Sequence, residues 1–427
     1  MNASLPSLIA TTTLLLAGCG LFEGAEGPVG DAGAQGQAGA ACWDLNANGD
    51  ADPDSEDLNG DGSVDVYDCQ GLASDGSDGE DGEDWAPPSM VGAAACADCH
   101  DDQYQAWLRS GMGNALLATG GAEPTEPWDG LGSFGDYASE PPDGYTWADI
   151  SYVIGGWARK QVFVDADGWV ITGDDAAWAQ QHDTWIDYEG SYAPGTLAFE
   201  CARCHTTGYR PEGNQDDLAG AVGTWESEGI GCERCHGHGS QHVEDPYMVP
   251  MPVDRSAELC GECHVRGAVG ELEAQDGFLR DAQQWSELFQ GKKHVMDCAD
   301  CHNPHGSAHY DHSSANPDQG IQVECESCHF QQAANQGSST MAGYVGCIGC
   351  HMPDAVVVAQ AEHALQGDHP AHLFAINIDI DEPQTDGDTA NPWVSMDFAC
   401  RSCHSEAGPW TAYSDAELLD EAIGYHD

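Results

Sequence analysis

The chain has 427 residues, of which 73 are Asp or Glu and only 12 are Lys or Arg, so its formal charge is −61. A surface of this sign repels the phosphate backbone, which excludes a nucleic-acid-binding protein. The 19 cysteines are unexpected in the reducing cytosol and indicate an exported protein.

Residues 1–18 are predicted to be a lipoprotein signal peptide. An apolar run ends in Leu16–Cys19 (LAGC), which resembles a bacterial lipobox, whose cysteine is acylated. The run is too short for a stable membrane span. Gly20 rather than Asp follows the cysteine, so we expect an outer-membrane lipoprotein facing the periplasm or the cell surface, held by lipid on Cys19. An ordinary signal peptide is the alternative.

Residues 19–71 contain a spacer and a candidate calcium module. Residues 19–41 are Gly-rich, with Gly at every third position from 24 to 39, and are predicted to be a flexible spacer. Residues 42–71 resemble dockerin-like calcium loops, because oxygen-bearing side chains alternate around a turn glycine. The predicted Ca²⁺ ligands are Asp57, Asn59, Asp61, Ser63, Asp65 and Asp68, and in a less complete copy Asp44, Asn46, Asn48, Asp50 and Asp52. Cys42 and Cys69 bracket this module and are predicted to form a disulfide. An acidic linker without tight calcium binding is the alternative.

Residues 72–90 are predicted to be a second, acidic linker, because they are rich in Gly, Asp and Ser. The main domain then covers 91–427 and holds eight copies of Cys-x-x-Cys-His. In this pattern the two cysteines form thioethers with heme and the histidine becomes the proximal iron ligand. Zinc sites also use Cys-x-x-Cys pairs but do not need a following histidine. Eight heme c groups are therefore expected.

The heme-binding residues are numbered here as motifs 1 to 8 in chain order. They are Cys96, Cys99 and His100; Cys201, Cys204 and His205; Cys232, Cys235 and His236; Cys260, Cys263 and His264; Cys298, Cys301 and His302; Cys325, Cys328 and His329; Cys347, Cys350 and His351; and Cys400, Cys403 and His404.

The expected fold class is short α-helices and loops wrapped around covalently bound hemes, with a small β-element at about 150–173. So few residues per heme cannot build an ordinary core, and the porphyrins must supply apolar volume. The long gap between motifs 1 and 2 is different. Residues 151–154, 161–164 and 169–172 are predicted strands, and 165–168 form a turn between the last two.

A low-spin heme needs a sixth ligand, and the remaining histidines are the candidates. We favour His242, His294, His305 and His372, followed by His309, His312, His363 and His369. For His182 and His426 a surface or hydrogen-bonded role is the stronger expectation. Met112, just after motif 1, could be a thioether ligand that raises that heme's potential, although methionine is more often a core filler.

The main domain resembles the cytochrome c554-type multiheme proteins. The strings that carry the resemblance include CADCHDDQYQAWLRSG, ISYVIGGWARKQVFVDADGWVITG, CARCHTTGY, GIGCERCHGHGSQHV, DCADCHNPHG and CIGCHMP, within residues 91–404. The resemblance implies bis-His hemes packed in close pairs and a role in respiratory electron transfer. Met112 stands where relatives often carry His.

Two functions fit these features. The first is a lipid-anchored electron carrier that meets redox partners through their basic docking patches, since this chain is so acidic. The alternative is an octaheme oxidoreductase acting on a small nitrogen or sulfur compound, which requires one open heme. All eight motifs end in His, and of the three lysines, Lys160, Lys292 and Lys293, we consider Lys160 the best candidate for a distal ligand. A filament subunit is a third option, against which the anchor argues.

Overall fold

The computed structural model describes residues 87–124, 137–268, 270–291, 293–307, 320–336 and 344–426, together with residues 55 and 341. The predicted signal peptide, the spacer, all the predicted calcium ligands and the pair Cys42 and Cys69 lie outside these residues, as do His309, His312 and most of the acidic linker. The described chain from residue 87 onward belongs to one compact unit. Among the described residues, no helix has the length and apolar character needed to cross a bilayer.

The helices of the described residues are short, at three to eight residues each. They are Ala93–Cys96, Asp101–Leu108, Ala202–His205, Cys232–His236, Ser240–Glu244, Ala257–Gly261, Gln284–Gln290, Phe330–Gln336, Cys347–His351, Ser402–His404 and Asp415–Ala422. Single 3₁₀ turns occur at Trp147–Asp149, Gln180–His182, Gln215–Asp217, Cys298–Asp300 and Cys325–Ser327, and a π turn at Asp397–Arg401. Most of these helices coincide with a motif, so the helical content serves heme attachment.

The strands form one larger sheet and several small ones. They are β1 Leu116–Ala118, β2 Ile150–Gly155, β3 Lys160–Asp165, β4 Gly173–Ala179, β5 Thr184–Tyr188, β6 Thr206–Thr207, β7 Arg210–Asn214, β8 Val222–Thr224, β9 Ser227–Glu228, β10 Ala274–Gln275, β11 Phe278–Arg280, β12 Val356–Val357, β13 Thr385–Asp386 and β14 Thr389–Ala390. Strands β1 to β5 form an antiparallel sheet in chain order. The fold is therefore helix and loop with more β-structure than the sequence predicted.

Both faces of the β1–β5 sheet are buried. Val162 and Val164 of β3 face a core that also contains Phe199 and Ala202, whereas Phe163 between them faces a second core. Phe163 is fully buried, and a side chain of this size contributes about 2–3 kcal/mol through burial. Because Ala202 belongs to motif 2, the sheet fixes the position of that motif.

The predicted strands agree with the structure at β2 and β3 but not at the third position. Residues 169 and 170 form only isolated bridges, and the next strand begins at Gly173. The turn at 165–168 is present, since the Gly168 N–H donates to Asp165 O at 3.0 Å. Gly168 has φ +89°, and a Cβ there would lie 2.5 Å from the Ala221 nitrogen. The close approach of the 220–221 segment shortens the hairpin and displaces the third strand.

A separate apolar core organises the C-terminal motifs. Leu279 of β11 pairs in parallel with Val356 of β12, shortly after motif 7. Phe398, directly before motif 8, packs into the same cluster, and its ring is 5.5 Å from the ring of Phe278. Segments distant in sequence thus bring motifs 7 and 8 to one core.

Glu233, within motif 3, links that motif to the chain segment that precedes motif 1. Its carboxylate is 5% exposed and accepts N–H bonds from Val91 at 2.9 Å, from Gly92 at 2.8 Å and from Gly239 at 2.8 Å. Hydrogen bonds to a buried charged group are among the stronger ones in proteins. The carboxylate therefore holds three backbone segments in place.

Replacing Glu233 with Ala is expected to lower the free energy of unfolding by about 3 kcal/mol, because three buried N–H groups lose a charged acceptor. The matched control is Glu262→Ala, which removes a 47% exposed side chain paired with Arg234 at 2.6 Å. That change is expected to cost less than about 1 kcal/mol. Guanidinium unfolding followed by circular dichroism measures both, and equal losses would contradict the role of Glu233.

Candidate functional site

Each motif folds as a tight turn that closes on its own histidine. The His100 N–H donates to Cys96 O, and the same bond at 2.9 Å recurs in motifs 4, 5 and 6. A turn of this kind places residues i, i+3 and i+4 on one side. Both sulfurs and the imidazole of a motif can therefore contact one planar group.

The motif histidines are oriented through their Nδ1 atoms. The acceptors are Ala115 O for His205 at 2.8 Å, Pro252 O for His236 at 2.8 Å, Phe374 O for His351 at 2.7 Å, Thr411 O for His404 at 2.9 Å and Gln284 Oε1 for His264 at 3.1 Å. Because an oxygen can only accept, Nδ1 carries the proton in each case. The lone pair is then on Nε2, which is the form that binds a metal.

Four motif histidines face a second imidazole. The ring centres are 6.4 Å apart for His100 and His242, 6.2 Å for His236 and His305, 6.1 Å for His302 and His372, and 5.9 Å for His351 and His426. Two imidazoles on opposite sides of one metal have ring centres about 6 Å apart, since each metal–nitrogen bond is about 2 Å and each ring centre lies about 1 Å further. The spacing therefore fits a heme iron held by two histidines.

The structure places the predicted distal histidines in different settings. His242, His305 and His372 face motifs 1, 3 and 5, as just described. His294 is exposed, and its Nδ1 is 3.5 Å from Gly291 O. His369 Nε2 is 3.4 Å from the Gln284 side-chain nitrogen, and His363 lines a cavity. Neither His369 nor His363 belongs to one of the four imidazole pairs.

Two residues approach motif histidines without having been favoured from the sequence. His426 faces His351, although its position in the sequence indicated a surface residue; the aromatic neighbour Tyr425 is the only local signal. Lys293, rather than the adjacent His294, meets motif 6, with its Nζ 2.8 Å from His329 Nε2. The Ile230 N–H donates to the main-chain oxygen of Met112 at 2.8 Å. This hydrogen bond connects the segment after motif 1 to the segment before motif 3.

Contacts between cysteines give the spatial order of the motifs. Cys96 lies close to Cys232, Cys204 lies close to Cys263, and Cys260 lies close to Cys298. Electrostatic interactions join Cys235 to Cys260, Cys301 to Cys328, Cys325 to Cys347, and Cys350 to Cys403. The motifs thus form a continuous series 1–3–4–5–6–7–8. Motif 2 branches from motif 4, and His264 of motif 4 accordingly interacts with both His205 and His302.

Motif 2 has different surroundings from the paired motifs. Among the described residues, no imidazole stacks opposite His205. The Lys160 ammonium instead lies 5.3 Å from the centre of the Tyr188 ring, and Tyr188 interacts with Cys201 of the motif. Arg266 also interacts with Cys201 and donates to Asp281 Oδ1 at 2.8 Å. A cationic and phenolic cluster therefore borders this motif.

Burial shifts the titration of the groups around motif 2. Desolvation lowers the pKa of Lys160, and the carboxylate of Asp281 opposes that shift. Desolvation also lowers the pKa of His205, so its imidazole is neutral and able to bind a metal. A lysine with a lowered pKa releases its proton more readily, which is a common property of lysines in active sites.

A polar cavity lies beside this cluster. Its volume is about 380 Å³, and its lining includes Arg159, Asp354, His363 and Asp368. Asp368 interacts electrostatically with Lys160, so one residue of the cavity lining lies near the motif 2 cluster. No motif cysteine or motif histidine lines this cavity. It provides space for a small polar molecule.

Comparisons with known proteins agree with these features. A family model described as cytochrome c554 and c-prime matches residues 177–237, which contain motifs 2 and 3. The dissimilatory sulfite reductase MccA of Wolinella succinogenes is 22% identical over 402 residues, covering 69% of this chain and 56% of the relative. This chain therefore spans little more than half the length of that relative.

Two solved structures share the fold. The octaheme sulfite reductase MccA of Wolinella succinogenes, form II, superposes with a TM-score of 0.53 at 18% identity, covering 80% of this chain and 72% of that chain. The outer cell wall cytochrome OcwA superposes with a TM-score of 0.50 at 18% identity, covering 78% and 86%. The three chains thus share a fold.

Proposed function

We propose that this chain, a multiheme c-type cytochrome, carries electrons along the motif series 1–3–4–5–6–7–8. Each heme c supplies a one-electron couple when bound. The four imidazole pairs, at 5.9–6.4 Å, are the observation that carries the proposal. Each pair would hold one heme through two histidines, which would favour electron transfer over substrate binding. The protein's own contribution is to hold neighbouring motifs in contact.

The proposal includes eight hemes, one on each motif, and an exported location. Lipid on Cys19 would hold the protein at the outer membrane, and the spacer and linker would let the heme domain reach its partners. A formal charge of −61 would attract redox partners with basic patches and would make association faster at low salt. Calcium bound at residues 44–68 would offset part of this charge.

The test is a count of low-spin and high-spin hemes in the purified, oxidised protein by electron paramagnetic resonance. We expect at least four low-spin hemes, and His426→Ala should convert one of them to high spin because His351 loses its facing imidazole. His182→Ala is the control, since His182 is bonded to Glu362 at 3.1 Å and faces no motif. A protein with mostly high-spin hemes, or a His426 variant indistinguishable from the control, would contradict the proposal.

A second candidate function is the reduction of a small sulfur or nitrogen oxyanion at motif 2. The observation that favours it is the cluster of Lys160, Tyr188 and Arg266 near Cys201 of motif 2, together with a polar cavity whose lining includes Asp368. The two cations would bind the oxyanion, and the Lys160 ammonium, with its lowered pKa, would donate a proton to it. The branch at motif 4 would let electrons reach this end without interrupting the main series. The similarity to a sulfite reductase supports the same chemistry.

A further inference from the structure

One carboxyl group lies directly behind a predicted iron ligand. Glu287, in helix Gln284–Gln290, is 1% exposed, and its Oε2 accepts the His372 main-chain N–H at 2.6 Å. The same oxygen lies 4.0 Å from the Nδ1 atom of His372. His372 is the imidazole that faces His302 of motif 5. Glu287 is thus on the side of His372 that points away from the expected iron.

The Nδ1 atom of His372 needs an acceptor. It is buried and has no hydrogen-bond partner. If Nε2 binds iron, Nδ1 must carry the proton, and a buried N–H without an acceptor costs about 1–3 kcal/mol. The Glu287 carboxylate lies 4.0 Å from Nδ1, and a shift of about 1 Å would bring it to hydrogen-bond distance. The main-chain oxygen of Pro370 is a second, neutral acceptor close to this imidazole. Among the described residues, no Lys or Arg forms an ion pair with Glu287.

This arrangement differs from that of the other anchored imidazoles. His236, His242 and His351 donate Nδ1–H to neutral main-chain carbonyls at 2.8, 2.6 and 2.7 Å. A carboxylate withdraws the Nδ1 proton more strongly than a carbonyl and makes the imidazole a stronger electron donor. A stronger donor, with a negative charge behind it, stabilises the oxidised iron relative to the reduced iron.

We infer that Glu287 is a positioning residue that orients His372 and lowers the reduction potential of the motif 5 heme relative to the hemes at the other three imidazole pairs. Motif 5 stands between motifs 4 and 6, so a low potential there would regulate electron exchange between the two halves of the series. The inference rests on the proposed function only in requiring a heme at motif 5.

The test compares Glu287→Gln with Glu271→Gln, an exposed control that removes the same charge. Each full-length holoprotein is titrated spectroelectrochemically at about pH 8.5, where an ordinary carboxyl group is ionised. We expect one component of the Glu287→Gln titration to shift to higher potential, with the number of low-spin hemes and the other components unchanged. In the control all components should stay in place.

Two results would overturn the inference. The first is a Glu287→Gln titration identical to that of Glu271→Gln. The second is a His372→Ala protein that retains every low-spin heme, because His372 would then not be an iron ligand. This second result would still leave the electron-carrier function standing, since the hemes would remain. The failure of the inference is therefore distinguishable from the failure of the proposed function.

Discussion

Replacing Cys260 and Cys263 of motif 4 with Ser is expected to slow electron equilibration between motifs 1 and 3 and motifs 5 to 8 by at least about tenfold, an increase of about 1.4 kcal/mol in the barrier. Motif 4 lies between these groups, close to Cys235 of motif 3 on one side and to Cys298 of motif 5 on the other. Without its heme, electrons must cross a longer gap. Pulse radiolysis with less than one electron per protein measures the internal rate.

The matched control for this variant is Cys201→Ser with Cys204→Ser in motif 2. It also removes one heme in contact with motif 4, but from a branch rather than from the main series. Its internal equilibration among the remaining hemes should be unchanged. Equal slowing in both variants would show that the order of the motifs does not set the path of the electrons. Loss of all hemes from the motif 4 variant would indicate a folding defect. Counting the hemes by the pyridine hemochrome assay detects such a defect.

Replacing Lys160 with Met is expected to lower any reduction of sulfite, nitrite or hydroxylamine by about 100-fold, the typical effect of removing one electrostatic group from an active site. Methionine keeps the length of the side chain but removes both the positive charge and the transferable proton. The ammonium lies 5.3 Å from the centre of the Tyr188 ring. The assay is steady-state turnover with reduced methyl viologen as electron donor.

Arg210→Gln is the control for this prediction. Arg210 is 64% exposed and pairs with Glu226. The substitution therefore removes a cation from the surface and leaves the surroundings of motif 2 unchanged. Its turnover should match that of the wild type. If wild-type protein reduces none of the three compounds and binds no cyanide, the enzymatic candidate fails and the electron-carrier function remains. If Lys160→Met turns over like the wild type, the cluster is not a catalytic site.

The β-element shows which strands the local sequence was sufficient to predict. The β-branched residues around Val153 and Val162 indicate strands, and β2 and β3 lie there. Strand β4, with the sequence GDDAAWA, has little intrinsic strand preference, and it forms because Ala177 pairs with Val162 on one side and Ile186 on the other. Pairing with neighbours therefore overrides propensity.

For the distal ligands, too, the sequence indicates the candidates and only the structure shows their partners. His305 follows motif 5 by three residues in sequence, yet it faces His236 of motif 3, and His426 near the end of the described chain faces His351. Spacing along the chain indicates which histidines are available but not which motif each one serves. The preference for His294 over Lys293 likewise came from residue type alone, whereas the structure brings Lys293 to His329.

The sequence alone determined the chemistry of attachment, because the two cysteines and the histidine of each motif are neighbours and their geometry is set by one turn of backbone. It also determined the charge. Only the tertiary structure decided the branch at motif 2, the pairing of imidazoles and the burial of Glu287 behind His372. The physical reason is that these contacts join residues far apart in the chain, whose approach depends on how the β1–β5 sheet and the C-terminal core pack.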